Sequence, residues 1–202
     1  MRQVVMISLT LLLTACGGSS DSSSNPPVTT ANTAPTTTVP LTPAAEPAAM
    51  TGMLEAHNQT RATVAVMPLT WSSQMSSYAQ EWATHLATNN ACTMQHRAAV
   101  GMNTLGVGEN LYRASPTMWS DGRTEIQAIT PAQVANKWAS EASAYDYASN
   151  TCASGEMCGH YTQMVWKTTI EVGCGMAICP DKGQIWVCNY NPPGNYIGMK
   201  PY

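Results

Sequence analysis

Cys158-Gly159-His160-Tyr161-Thr162-Gln163-Met164-Val165-Trp166 and Cys188-Asn189-Tyr190-Asn191-Pro192-Pro193-Gly194-Asn195-Tyr196 are the stretches whose reading decides the fold of this chain. Between and into them run two apolar segments, Ile170 to Cys179 and Gln184 to Asn191, joined across Pro180-Asp181-Lys182-Gly183. Turn residues between two such runs predict a β-hairpin. Pro192-Pro193-Gly194 then ends the second strand, because proline cannot donate to a sheet ladder. The chain is only 7% aromatic and has no Phe, so a local gathering of rings, sulfurs and a histidine marks a built wall or cavity.

Upstream the pattern is helical. Met50 to about Thr63 places Met53, Leu54, His57 and Arg61 along or beside one face. A second helix starts near Ser72, with Met75, Tyr78, Trp82 and Leu86 at spacings of three and four, and Trp71 placed to staple its start. Thr130-Pro131-Ala132-Gln133 is a capping box with proline at the first helical position, and Val134, Trp138, Ala142 and Tyr145 follow along one face. Tyr161 to Trp166 reads as a short helix, and Ala91 to Met118 as irregular, glycine-rich chain. Helices first and a hairpin last predict an α+β domain with an antiparallel sheet.

The first residues carry a different message. The apolar run from Val4 to Leu13 is too short to span a bilayer and reads as the core of a secretory signal. Leu13-Thr14-Ala15-Cys16 resembles a bacterial lipoprotein box, which implies removal of residues 1–15 and lipidation of Cys16. Gly17-Gly18 beside that cysteine agrees with sorting to an outer membrane, periplasmic or surface facing. Residues 16–48 are dominated by Ser, Thr, Pro, Asn and Ala and read as a disordered tether, since they cannot bury enough apolar surface to offset chain entropy. Residues 49–202 are one domain's worth of chain.

Apart from Cys16, six cysteines remain: Cys92, Cys152, Cys158, Cys174, Cys179 and Cys188. An even number in an exported domain implies three disulfides, and neither a Cys-x-x-Cys pair nor a zinc-ribbon spacing occurs. Nine basic against twelve acidic residues, without a basic cluster, give no sign of a nucleic-acid partner, and none is expected.

Four residues are candidates for acid–base or chelating chemistry: His96, Glu109, Glu141 and His160. Each also has a plain reading. His160 follows a glycine at a helix start and suits a capping role. Glu141 can pair with Lys137 four residues earlier. Glu109, in Gly108-Glu109-Asn110-Leu111, can be a helix-start carboxylate, and His96 a loop histidine. His57 and His85 lie on helices and read as structural or surface residues. Neither a Gly-x-Ser-x-Gly elbow nor a His-Glu-x-x-His helix is present.

Together the motifs resemble the CAP superfamily, which comprises cysteine-rich secretory proteins, antigen five and plant pathogenesis-related class one proteins. Gly159 to Trp166 and Cys188 to Tyr196 are similar to its two signature segments, His57-Asn58-Gln59-Thr60-Arg61 to its first-helix motif, and Gly108 to Leu111 to its fourth. The resemblance spans about residues 50–202 and is nearest to the plant group. It implies a disulfide-stabilised three-layer α–β–α sandwich around an antiparallel sheet. It also implies a central cavity lined by His96, Glu109, Glu141 and His160, and the pairings Cys92–Cys179, Cys152–Cys158 and Cys174–Cys188.

The function so implied is a non-enzymatic, membrane-tethered extracytoplasmic binding module without a required cofactor. Its partners would be a lipid- or sterol-like or other small hydrophobic molecule, or an envelope or host protein. Tyr145-Asp146-Tyr147 and the loop around Met102 and Met118 are expected to supply apolar contact surface. The alternative is a divalent-metal protein holding zinc on His96 and His160, with hydrolase or peptidase activity and a glutamate as general base.

Overall fold

A computed structural model describes residues 44–202; the expected signal segment, the lipidation site Cys16 and nearly all of the tether lie outside the described residues. Helix α1 (Met53–Ala62) buries Met53, Ala56, His57 and Arg61 on one face. Strand β1 (Thr70–Trp71) leads into α2 (Ser73–Asn89), capped where the Ser72 hydroxyl accepts the Met75 amide at 3.4 Å. Strand β2 (Gly108–Ala114) and a small ladder of β3 (Thr117–Met118) with β4 (Thr124–Glu125) follow. Helix α3 (Pro131–Ala139) opens on the predicted capping box: Thr130 Oγ1 accepts the Gln133 amide at 3.2 Å, and Gln133 Oε1 accepts the Thr130 amide at 2.7 Å. After β5 (Tyr145–Asp146) and β6 (Thr151–Cys152) come α4 (Gly159–Met164), β7 (Glu171–Ile178) and β8 (Gln184–Asn191).

The sheet runs in the order β1-β7-β8-β2. Strands β7 and β8 form the hairpin and β2 pairs antiparallel along the other side of β8, while the two-residue β1 pairs parallel to β7. The class is α+β, with a mixed sheet whose long strands are antiparallel. Alternation along β8 separates two layers of core. Trp186, Cys188 and Tyr190 pack with Met53, Val134 and Trp138, from α1 and α3. Ile185 and Val187 pack with Ala79, Trp82, Ala83 and Leu86 of α2.

The close seat of α2 explains why β7 alternates glycine. A Cβ on Gly173 would collide with backbone of Ser72, Met75 and Ser76, and one on Gly175 with Gln80. Helix backbone lies where side chains would otherwise stand. Disulfides join Cys92 to Cys179, Cys152 to Cys158 and Cys174 to Cys188.

Several local expectations need correction. The segment read as irregular from Ala91 to Met118 contains β2, hidden because Glu109, Asn110 and Arg113 interrupt any clean apolar alternation. Trp71 does not staple α2; it is a strand residue paired with Val172, with its ring in the core. Helix α3 stops at Ala139 and continues as a tighter 3-10 turn over Ser140–Ala144, so Ala142 is exposed and Tyr145 opens a strand. Helix α4 begins at Gly159, two residues earlier than the expected short helix.

Candidate functional site

One face of the sheet's β2 end carries a cavity of ≈ 510 Å³, bounded by β2, the N-terminal part of α4, the loop after β8 and His96. Its wall forms because three elements interlock. Gln163 of α4 lies against Gly108 of β2, where any Cβ would overlap it, and its Oε1 accepts the Gly194 amide at 2.9 Å. Asn195 clasps α4 from the other side, donating to the Gly159 carbonyl at 2.8 Å and accepting from the Thr162 hydroxyl at 2.7 Å.

Two histidine–glutamate pairs stand in or behind this wall. His96 Nδ1 lies 2.9 Å from Glu109 Oε1, which also accepts the Arg97 amide at 3.0 Å. His160 Nδ1 lies 2.6 Å from Glu141 Oε1, and Glu141 Oε2 accepts the backbone amides of His160 at 3.0 Å and Tyr161 at 3.2 Å. Carboxylates only accept, so the ring proton of each neutral histidine sits on Nδ1 and its Nε2 carries a lone pair. The pairs differ in exposure: the His96 and Glu109 side chains are 51% and 8% exposed, those of His160 and Glu141 19% and 14%.

His96, Glu109 and His160 line the cavity, and Glu141 sits behind His160. The plain alternatives for the two glutamates fail. Glu109 belongs to a strand, and Glu141 caps the start of α4 instead of pairing with Lys137. The His160 ring also stacks on Trp138, with centroids 6.1 Å apart at 24°.

Sequence reasoning missed the residues that hold His160 from inside the fold. Asn110 Nδ2 donates to the His160 carbonyl at 3.1 Å and to the Tyr190 hydroxyl at 3.0 Å. Tyr190 in turn meets His57 Nε2 at 2.8 Å, and His57 Nδ1 donates to the Met53 carbonyl at 2.8 Å. A network thus runs from α1 through β8 and β2 to the site. The one available signal was that Asn110 directly follows Glu109 in a short polar break. Burial drives the His57 imidazole down to about 4 and the Tyr190 hydroxyl well above its ordinary value.

The residues expected to supply apolar contact surface do not line this cavity. Met118 and Met102 are exposed but do not line the cavity; Val107, Met157 and Pro193 do. Tyr147 stacks on Tyr202, with centroids 4.6 Å apart, and Tyr145 tilts against Tyr161.

Chemically, in its neutral form, each histidine can accept a hydrogen bond through Nε2. Among the described residues no group of three or more His, Cys, Asp or Glu side chains is placed to hold a metal ion. A metal here would therefore rest on His96 and His160 with other ligands from water or substrate. Cys158, the cysteine in the wall, is bonded to Cys152. Among the described residues, neither histidine has a serine, threonine or cysteine paired to it as a nucleophile.

Residues 54–190 match the sequence model of the cysteine-rich secretory protein family, CAP. Pathogenesis-related protein 1A of Nicotiana tabacum is 42% identical over 149 residues, 74% of this chain and 78% of that protein. Pathogenesis-related protein PR-1 of Medicago truncatula is 40% identical over 146 residues, 72% of this chain and 74% of that one. Among solved structures, venom allergen-like protein 4 of Schistosoma mansoni has a similar fold, with a TM-score of 0.55 at 22% identity over 77% of this chain and 94% of that one.

Proposed function

The chain belongs to the cysteine-rich secretory protein (CAP) family, and from that premise we propose that it is an exported, membrane-tethered binding module that takes a small hydrophobic, lipid- or sterol-like ligand at the His96–His160 cavity. The observation that carries this reading is the cavity itself. Its ≈ 510 Å³ fall within the range of small-molecule sites, and apolar Val107, Met157 and Pro193 share the wall with a few fixed polar groups.

Binding without covalent chemistry is supported by how the polar groups are used. Each imidazole is oriented by a carboxylate, as a catalytic base would be, but among the described residues the wall supplies it no hydroxyl or thiol to activate. Export is supported by three disulfides, which form and persist chiefly in oxidising compartments. Tethering rests on the lipoprotein-like Leu13-Thr14-Ala15-Cys16. Cys16→Ser is expected to release the protein from the membrane fraction; an unchanged membrane association would remove the tether from this reading.

The ligand is tested by titrating purified protein with labelled sterol and labelled long-chain alcohol, alongside mass spectrometry of co-purifying lipids. Saturable binding at micromolar protein, lost in His160→Ala, is expected. Absence of saturable binding to either probe would overturn the reading.

One observation favours a second reading, a divalent-metal site. Carboxylate–imidazole pairs of this kind fix Nε2 for metal ligation and raise its basicity, and zinc suits imidazole. His96 and His160 would hold the ion, and Glu109 or Glu141 would act through the rings. Stoichiometric zinc on metal analysis, lost in His160→Ala, would support it, and metal-free protein after equilibration with zinc would exclude it.

A further inference from the structure

Resting on the binding reading above, we propose that the cavity recognises a primary ammonium group, so that its ligand is an amine-headed amphiphile. The wall is built of acceptors. In their neutral form both histidines present Nε2 lone pairs, because each Nδ1 proton is held by a carboxylate. Several of the donors that could have met a carboxylate or phosphate are already engaged. Asn110 Nδ2 is given to the His160 carbonyl and Tyr190, Asn195 Nδ2 to the Gly159 carbonyl, and Gln163 Nε2 to Thr169. The amides of His160, Tyr161 and Gly194 are taken by Glu141 and Gln163.

Charge points the same way. Glu109 lies in the wall and Glu141 behind it, and none of the lining residues is Lys or Arg. Glu109 is the stronger observation: its side chain is 92% enclosed (8% exposed) and its Oε2 has no hydrogen-bond partner among the described residues. A buried carboxylate oxygen left unpaired costs free energy that a nearby cation recovers. An alkyl ammonium brings one positive charge and three N–H donors to this acceptor wall. An alcohol brings one donor and no charge, a quaternary ammonium brings charge and no donor, and a carboxylate is repelled. Val107, Met157 and Pro193 then receive the alkyl chain.

The test is calorimetric titration of the purified protein, at neutral pH and below micelle concentrations, with octylamine, octanol, octyltrimethylammonium and octanoate. Putrescine, an amine lacking an apolar tail, separates an amphiphile from a soluble amine. Charge-assisted hydrogen bonds are roughly twice as strong as neutral ones, so octylamine is expected to bind about ten-fold tighter than octanol or octyltrimethylammonium. That advantage is expected to vanish in Glu109→Gln, and also in His96→Gln, whose half-exposed ring is removable without disturbing the core. Equal binding of octylamine and octanol would overturn the ammonium inference and leave the hydrophobic-ligand reading intact. So would an advantage that survives both substitutions. Equal binding of putrescine would overturn the amphiphile, and no binding of any octyl compound would overturn both readings.

Discussion

The Tyr190 hydroxyl lies 2.8 Å from Nε2 of His57, 133 residues earlier in the chain, and both side chains are fully enclosed. Because Nδ1 of His57 gives its proton to the Met53 carbonyl, Nε2 must accept, and Tyr190 donates to it while accepting from Asn110. The ring is therefore held neutral at the hub of the network behind His160.

A pH dependence follows. Burial, with Arg61 nearby as a lesser cause, lowers the His57 imidazole from 6.5 to about 4. The unfolded chain binds this proton below about 6.5 and the folded one only near 4, so unfolding takes up a proton between the two. The His57 contribution to stability is thus complete above about pH 6.5, is lost as pH falls towards 4, and amounts to about 3 kcal/mol. Urea unfolding at pH 7.5, 5.5 and 4 measures it. His57→Gln is expected to be less stable at pH 7.5 and to lose less between pH 7.5 and 4 than the unsubstituted protein.

Arg61 is fully enclosed and, among the described residues, faces no carboxylate. It donates instead to the carbonyls of Met67 (2.7 Å), Met164 (2.7 Å), Trp166 (3.0 Å) and Thr169 (3.0 Å), tying the end of α1 to the chain leaving α4. Lysine keeps the charge but lacks the planar fork, so Arg61→Lys should cost about 3 kcal/mol of unfolding free energy. A loss below about 1 kcal/mol would show that the carbonyls find other donors.

Gly173 lets α2 approach the sheet backbone to backbone. Gly173→Ala must displace the helix, and overpacking of this kind costs about 3 kcal/mol. Thermal unfolding measures it; a midpoint within a degree of the unsubstituted protein would contradict the packing described.

Glu141 accepts from three N–H groups at the start of α4 and fixes His160, whereas His96 is half exposed. Glu141→Ala should lower stability by about 2 kcal/mol and also weaken binding of labelled sterol or long-chain alcohol. His96→Gln should weaken binding with little change in stability. Loss of stability in both, or in neither, would mean that the two pairs do not play these separate roles.

What the sequence revealed tracks how local each signal was. The β7–β8 hairpin and the capping box of α3 are written in consecutive residues, and they appear where expected. Strand β2 was missed because its buried positions include polar Asn110, whose partners are distant in sequence. The end of α3 was misjudged because the tighter turn at Ser140–Ala144 keeps helical residue types while rotating Glu141 towards His160. The candidate site had no local signature at all. His96 and Glu109 are 13 residues apart, and Glu141 and His160 are 19 apart, so each looked ordinary by itself. Only family resemblance groups them, and the network through Asn110 and Tyr190 joins residues too far apart in sequence to leave a local pattern.

Photo-crosslinking with a diazirine-bearing sterol or long-chain alcohol, followed by peptide mass spectrometry, puts the binding cavity to the most direct test. Label is expected on the cavity wall, at Val107–Asn110, Met157–Gln163 or Pro193–Asn195, and is expected to fall when unlabelled ligand competes. Saturable label confined to other surfaces, such as the outer face of α2, would contradict the assignment of the His96–His160 cavity as the binding site.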